Sequence, residues 1–231
     1  MKKAVNHNVC SDLTIEVSSS LTVSGLCLRP KTSKALLLLA HGAGAGMRHP
    51  FMEQLANQLA AAAIATLRFQ FPYMELGKKR PDPPKLAVTT IVAAAKVAGS
   101  IAPDLPLFAG GKSFGARMSS TALAESALPM VRGFVAFGFP LHQPNTPAVQ
   151  RAAHLAAVKV PMLFLQGTRD ALADLTLMEP LVKNLQPLAR MQILAGSDHS
   201  FAVLKSSGRT SGEVLLELAK ATADFVDTTL A

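Results

Sequence analysis

Cysteine occurs only twice in the 231 residues, at Cys10 and Cys27, and neither belongs to a CxxC pair. That count excludes a disulfide framework and a thiolate metal cluster, and leaves one Cys10–Cys27 bridge as the sole pairing the sequence allows. Long apolar runs are also missing. The longest, Leu59 to Leu67, is mostly alanine and is interrupted by Thr66, well short of the roughly 20 residues that cross a bilayer. The charged opening MKKAVNHNVCSD has no apolar stretch behind it. Neither a signal peptide nor a membrane partner is therefore expected, and the expected location is the cytoplasm. No repeat, long linker or low-complexity tract stands out, which points to one domain over residues 1–231.

Basic residues outnumber acidic ones, 23 to 15, for a net charge of +8. The excess is scattered. Its densest cluster, Lys78-Lys79-Arg80, is three residues long, with no zinc-finger, homeodomain or RNP pattern around it. The charge reads as a solvated surface, and no nucleic-acid partner is expected. Hydrophobic residues make up 49%, enough for a packed core and too many for a disordered chain.

What is present is a regular alternation of strand and helix patterns. Leu13 to Val17 alternates apolar and polar, and Leu21 to Leu28 reads as its hairpin partner. Ala35 to Ala40, ALLLLA, is continuous and apolar, as a strand buried on both faces should be. Phe51, Leu55, Leu59 and Ala62 recur at helical spacing, Ile64 to Phe71 is a strand, and Pro72 to Pro84 reads as a loop. Val88, Ile91, Val92 and Ala95 give a second helical stripe, and Leu105 to Ala109 a short buried strand. Further strands are expected at Val131 to Phe139, Val160 to Leu165 and Met191 to Leu194, with a helix over Leu175 to Leu185. A final helix opens on a Thr210/Glu213 capping box. Such an order implies an α/β fold: a mostly parallel sheet of about seven to eight strands, helices on both faces. Ligands collect beyond the carboxyl ends of such strands.

The polar residues at those strand ends form a chemical set. Gly111-Lys112-Ser113-Phe114-Gly115 matches G-x-S-x-G, with a buried strand before it and a helix pattern, Ala116 to Ala124, after it. That context is what a nucleophile elbow requires: a strained turn that lifts the serine hydroxyl out of the fold, with small flanking residues that let strand and helix approach. A serine hydroxyl needs a base, and the base needs an orienting acid. Asp170 follows the Met162-to-Leu165 strand, and His199 follows the Met191-to-Leu194 strand, giving the chain order serine, acid, histidine. Asp174 falls within the next helix, and Asp198 adjoins His199, where neighbouring side chains point apart. An oxyanion would need two backbone donors. Phe114, the residue after the serine, supplies one. The other is expected from Ala43 in the glycine-rich turn His41-Gly42-Ala43-Gly44, where His41 packs or hydrogen-bonds to hold the turn. His142, Tyr73 and Met74 are candidate substrate contacts, with Phe71 and Phe114 as further apolar wall. His7, His49 and His154 read as structural.

The motifs HGAGAG, GGKSFGAR, LFLQGTRD and GSDHSF, in this order from about Lys34 onwards, resemble the α/β-hydrolase superfamily. More narrowly they resemble the predicted hydrolases grouped with testis-expressed protein 30, which are similar to dienelactone hydrolases. The resemblance implies an α/β-hydrolase fold and a serine hydrolase with Ser113, Asp170 and His199 as its triad. It also implies no cofactor and no metal; the expected partner is a small-molecule substrate. One departure stands out: many members carry Gly-Gly where this chain has Gly115-Ala116. The segment Pro140 to Lys159 is too short for a large lid, so an open or shallow pocket is expected. The expected reaction is ester or thioester hydrolysis through an acyl-enzyme, with amide hydrolysis the nearest variant. The alternative is a catalytically silent protein of the same fold that serves protein–protein interaction.

Overall fold

The computed structural model describes residues 9–231; His7 and the side chain of Cys10 lie outside the described residues. A hairpin of β1 (Val9–Ser18) and β2 (Leu21–Arg29) leads into β3 (Ala35–Ala40), α1 (Pro50–Ala61), β4 (Ile64–Phe69), α2 (Pro72–Glu75) and α3 (Pro84–Ile101). Then come β5 (Leu107–Lys112), α4 (Phe114–Ala124), β6 (Val131–Phe137), β7 (Met162–Arg169), α5 (Leu175–Asn184), β8 (Ala189–Asp198) and α6 (Ser211–Leu230). The eight strands form one sheet in the order β1-β2-β4-β3-β5-β6-β7-β8. Only β2 runs against its neighbours; every other pairing is parallel.

The ALLLLA strand shows how the two faces are filled. Successive side chains point to opposite sides of a sheet. Leu36 and Leu38 join the apolar cluster that includes Ile91, Met118 and Phe164. Leu37 and Leu39 join the other, with Leu55, Leu59 and Leu218. Both faces of β3 are therefore dry, and a continuous apolar run is the only pattern that suits it. The helix α3 is long and apolar, and its Ala87, Ile91, Ala94, Ala95 and Ala98 are fully buried in the first of these clusters.

Three elements differ from the reading of the sequence. The loop expected over Pro72 to Pro84 begins with one helical turn, α2, because Pro72 occupies its first position with φ already fixed. β8 extends well past Leu194, to Asp198, because β7 keeps pairing with it beyond an irregularity at Gly167/Arg169, as far as Arg169↔Asp198. The Gly-Ser-Asp end of that strand carries no apolar alternation to announce it. β7 likewise runs past Leu165 to Arg169, while the proline-bearing segment after β6 holds a short 3₁₀ helix, Gln150–Ala157, as its sequence allows. The capping box of α6 is formed as expected, with Thr210 and Glu213 each accepting from the other's backbone N–H.

Candidate active site

Ser113 stands between β5 and α4 with φ 52° and ψ −112°, a conformation that L-residues seldom adopt. The turn is enforced by close contact on both sides. A Cβ on Gly111 would lie 2.3 Å from the carbonyl oxygen of Ala40, and one on Gly115 would lie 2.4 Å from the same atom. The spacing of the two glycines around Ser113 is thus a steric requirement set by the end of β3. Ala116, where the resemblance has a second glycine, is fully buried within the apolar cluster.

β7 and β8 bring two more polar side chains to the same place. Asp170 follows β7 with its side chain fully buried, and His199 follows β8. His199 Nδ1 lies 2.8 Å from Asp170 Oδ2, and its Nε2 lies 2.9 Å from Ser113 Oγ. An ionised carboxylate only accepts. Nδ1 therefore carries the proton, and Nε2 is left to accept from the serine hydroxyl. Asp170 is itself held: Oδ1 accepts from the Leu172 N–H at 2.8 Å, and Oδ2 accepts from the Gln166 amide. Gln166 is fully buried, and its Oε1 accepts from the Phe139 N–H at 3.0 Å.

The amides of Phe114 and Ala43 donate to no group among the described residues. Phe114 opens α4, whose first N–H groups have no partner within the helix. Ala43 lines the cleft beside Ser113. Its turn is fastened from behind: the Gly44 N–H donates to Tyr73 Oη at 2.8 Å, and the Met47 N–H donates to Gln70 Oε1 at 2.8 Å. His41 is fully buried. Nδ1 donates to the Gly42 carbonyl at 2.7 Å, and Nε2 accepts from the Phe71 N–H at 3.1 Å. Burial pushes its imidazole down to about 4, against the upward pull of the Gly42 carbonyl. His41 is therefore a neutral brace for the turn.

The cleft above Ser113 has a volume of about 370 Å³ and is bordered by Ala43, Phe51, Met52, Ser113, Leu172 and His199. A larger hollow of about 730 Å³ lies across the His41–Met47 turn, against Asp12, Ser24, Gln70 and Glu75. It holds neither Ser113 nor His199, so the candidate site is the smaller cleft. Ala45 and His49 border both.

The chain matches the alpha/beta hydrolase domain family over residues 33–227. It belongs to that family. Solved structures repeat the hydrolase architecture nearly end to end. The dienelactone hydrolase from Anabaena variabilis is 21% identical with a TM-score of 0.74, covering 94% of this chain and 96% of its own. An α/β serine hydrolase without a lid from Xanthomonas campestris is 17% identical with a TM-score of 0.72, covering 94% of each chain. A cold-adapted esterase from an Arctic intertidal metagenomic library is 18% identical with a TM-score of 0.68, covering 99% and 96%.

Within this hydrolase domain the three expected substrate contacts separate. Met74 borders the larger hollow. Tyr73 is buried, with its hydroxyl committed to Gly44, and burial pushes its phenol up, partly offset by that bond. His142 is buried as well. Nδ1 donates to the Gln143 carbonyl at 2.8 Å, and Nε2 accepts from the Asp174 N–H at 2.8 Å. Tyr73 and His142 thus brace the turns beneath the cleft rather than bordering it, because each polar atom already serves a backbone group. Asp174 caps α5 through the Thr176 N–H, and Asp198 accepts from the N–H groups of Ser200 and Ala202. His49 caps α1, and His154 Nε2 lies 2.7 Å from Ser120 Oγ. Among the described residues, no group of three His, Cys, Asp or Glu side chains converges as metal ligands would.

Gln166 escaped the reading of the sequence. Its only signal there is its place four residues before Asp170 at the end of a buried strand, where an amide is out of keeping with MLFLQ.

Proposed function

We propose that this hydrolase-domain protein is a serine hydrolase that cleaves an ester or thioester bond through an acyl-enzyme on Ser113. The observation that carries the reading is the hydrogen-bonded row Ser113–His199–Asp170 at a turn of positive φ, opening on a cleft. Ser113 Oγ attacks the carbonyl carbon while His199 Nε2 takes its proton. Asp170 keeps Nδ1 protonated and offsets the charge that forms on the ring. The free amides of Phe114 and Ala43 stabilise the oxyanion. His199 then returns the proton to the departing oxygen or sulfur, and a water, activated by the same ring, releases the acid. Amide hydrolysis is the nearest variant of this scheme. The similarity to a dienelactone hydrolase and to an esterase favours ester chemistry. The motifs GGKSFGAR and LFLQGTRD favour the testis-expressed protein 30-like group within the family.

The test is a fluorophosphonate probe read by intact mass, beside Ser113→Ala. The expected result is one adduct on the wild-type protein and none on the variant, with both folded by circular dichroism. A folded wild-type protein that takes up no probe would remove the reading and leave a silent fold suited to protein interaction.

A further inference from the structure

The residue before the nucleophile is an ionisable group buried under the site. Lys112 ends β5 and is 9% exposed. Lys112 borders the cleft above Ser113, and its Nζ is set against Phe201 and Gly138. Nζ lies 5.4 Å from the centroid of the Phe201 ring, and a Cβ on Gly138 would come within 3.1 Å of it. The same point is 3.6 Å from Asp170 Oδ2, so the ammonium and the carboxylate are near neighbours across Gly138. Gly138 itself has φ +67°; the missing side chain makes room for the ammonium there.

Phe201 belongs to the loop that carries His199. It takes φ 62° and stacks on Phe51 with centroids 5.7 Å apart and planes 10° from parallel. Its N–H donates to the Asp198 carbonyl at 2.9 Å. The ammonium therefore touches two parts of the apparatus at once: the field at Asp170, and the ring that anchors the His199 loop. The titratable groups facing it are Asp170 beyond β7, with Asp198 and His199 at the end of β8. His49, at the start of α1, borders the same cleft. The β3 and β6 sides present Gly42 and Gly138, which do not titrate. Among the described residues no carboxylate lies within ion-pair distance of Nζ.

We propose that Lys112 is a positioning residue, whose ammonium holds Asp170 and the Phe201-anchored His199 loop in the arrangement that makes Ser113 reactive. The inference rests on the assignment of Ser113 as nucleophile. A buried ammonium without a close counter-ion costs stability. Methionine, of similar length and without charge, would occupy the position at lower cost, so packing alone is a poor account of lysine here. Burial pushes the ammonium down to about 8, while Asp170 and then Asp198 pull it back up. The charge is thus present at neutral pH and lost above it. In the protonated form the cation–π contact and the field on Asp170 both operate; in the neutral form both lapse.

The experiment is the second-order rate of fluorophosphonate labelling of Ser113 from about pH 6 to about pH 10, for wild type, Lys112→Met and Lys112→Arg, with a urea melt at each pH. The wild-type rate should fall through an inflection near 8. Lys112→Met should label about tenfold more slowly at neutral pH, show no inflection there, and be at least as stable as wild type. Lys112→Arg, which keeps its charge throughout, should label rapidly without the fall. If the arginine variant does not fold, the methionine variant and its melt decide. A methionine variant that keeps the inflection, or labels as fast as wild type or faster, overturns the proposal. One that is slower and also less stable marks a packing role and overturns it equally. A wild-type protein that takes no label at all fails at Ser113 itself, a result distinct from each of these.

Discussion

The turn after β3 is held by neutral hydrogen bonds, and the loop after β8 is held by charge. They face each other across Ser113. On the β3 side the fastenings are His41, Tyr73 and Gln70, each meeting a backbone group, and the turn presents one amide. On the β8 side they are the Asp170 carboxylate, the Lys112 ammonium over Phe201, and Asp198 across its own loop. In the proposed mechanism that loop presents the base. A group that only donates a fixed hydrogen bond needs rigidity, and neutral contacts supply it for as long as His41 stays uncharged. A group that must gain and lose a proton needs its surroundings to respond to charge. One cleft is thus built with two kinds of support, and each has its own way of failing.

The largest expected effect breaks the charged side. Asp170→Asn leaves the shape but cannot hold His199 in the Nδ1-protonated form. Labelling of Ser113 should fall by about 10³ to 10⁴ with the fold kept. A loss of less than about tenfold would show that the carboxylate does not orient the ring.

The next effect breaks the neutral side, by acid. His41 titrates near 4 in the folded protein against 6.5 as an ordinary histidine. Between those values the unfolded chain holds one more proton than the folded one, so stability falls as pH drops from 6.5 to 4. The share from His41 is about 3 kcal/mol. Urea unfolding across that range should show it, and His41→Gln should lack it; equal slopes in the two proteins would remove the brace from the account. Above pH 6.5 His41 contributes no slope.

The mildest change is made at Tyr73. Tyr73→Phe removes the acceptor of the Gly44 N–H and nothing else from the turn. A loss of about 1 kcal/mol in stability is expected, with labelling slowed a few-fold and its pH profile unmoved. A shifted profile would mean that the two sides are coupled.

The strands and the order of the site were legible because each depends on local pattern. β3 had to be continuous and apolar, and Ser113, Asp170 and His199 each fall directly after a strand. The supports were not legible, since they depend on which strand pairs with which. Gln166 reaches Phe139 only because β6 and β7 are neighbours. Lys112 meets Asp170 only across Gly138, from two strands away in the sheet. His142 reads as a cleft residue because it follows a strand, and Tyr73 because an aromatic after a strand suits an apolar wall. Burial gave their polar atoms to backbone groups instead.

β8 is the last strand of the sheet and has a neighbour on one side only. An edge strand frays before a central one does. His199 follows its far end, while Ser113 follows β5 in the middle. Unfolding that begins at this edge would carry His199 away while Ser113 and most of the core stay in place. The proposed activity would then be lost before the fold, and a preparation that passes every test of foldedness could already be silent.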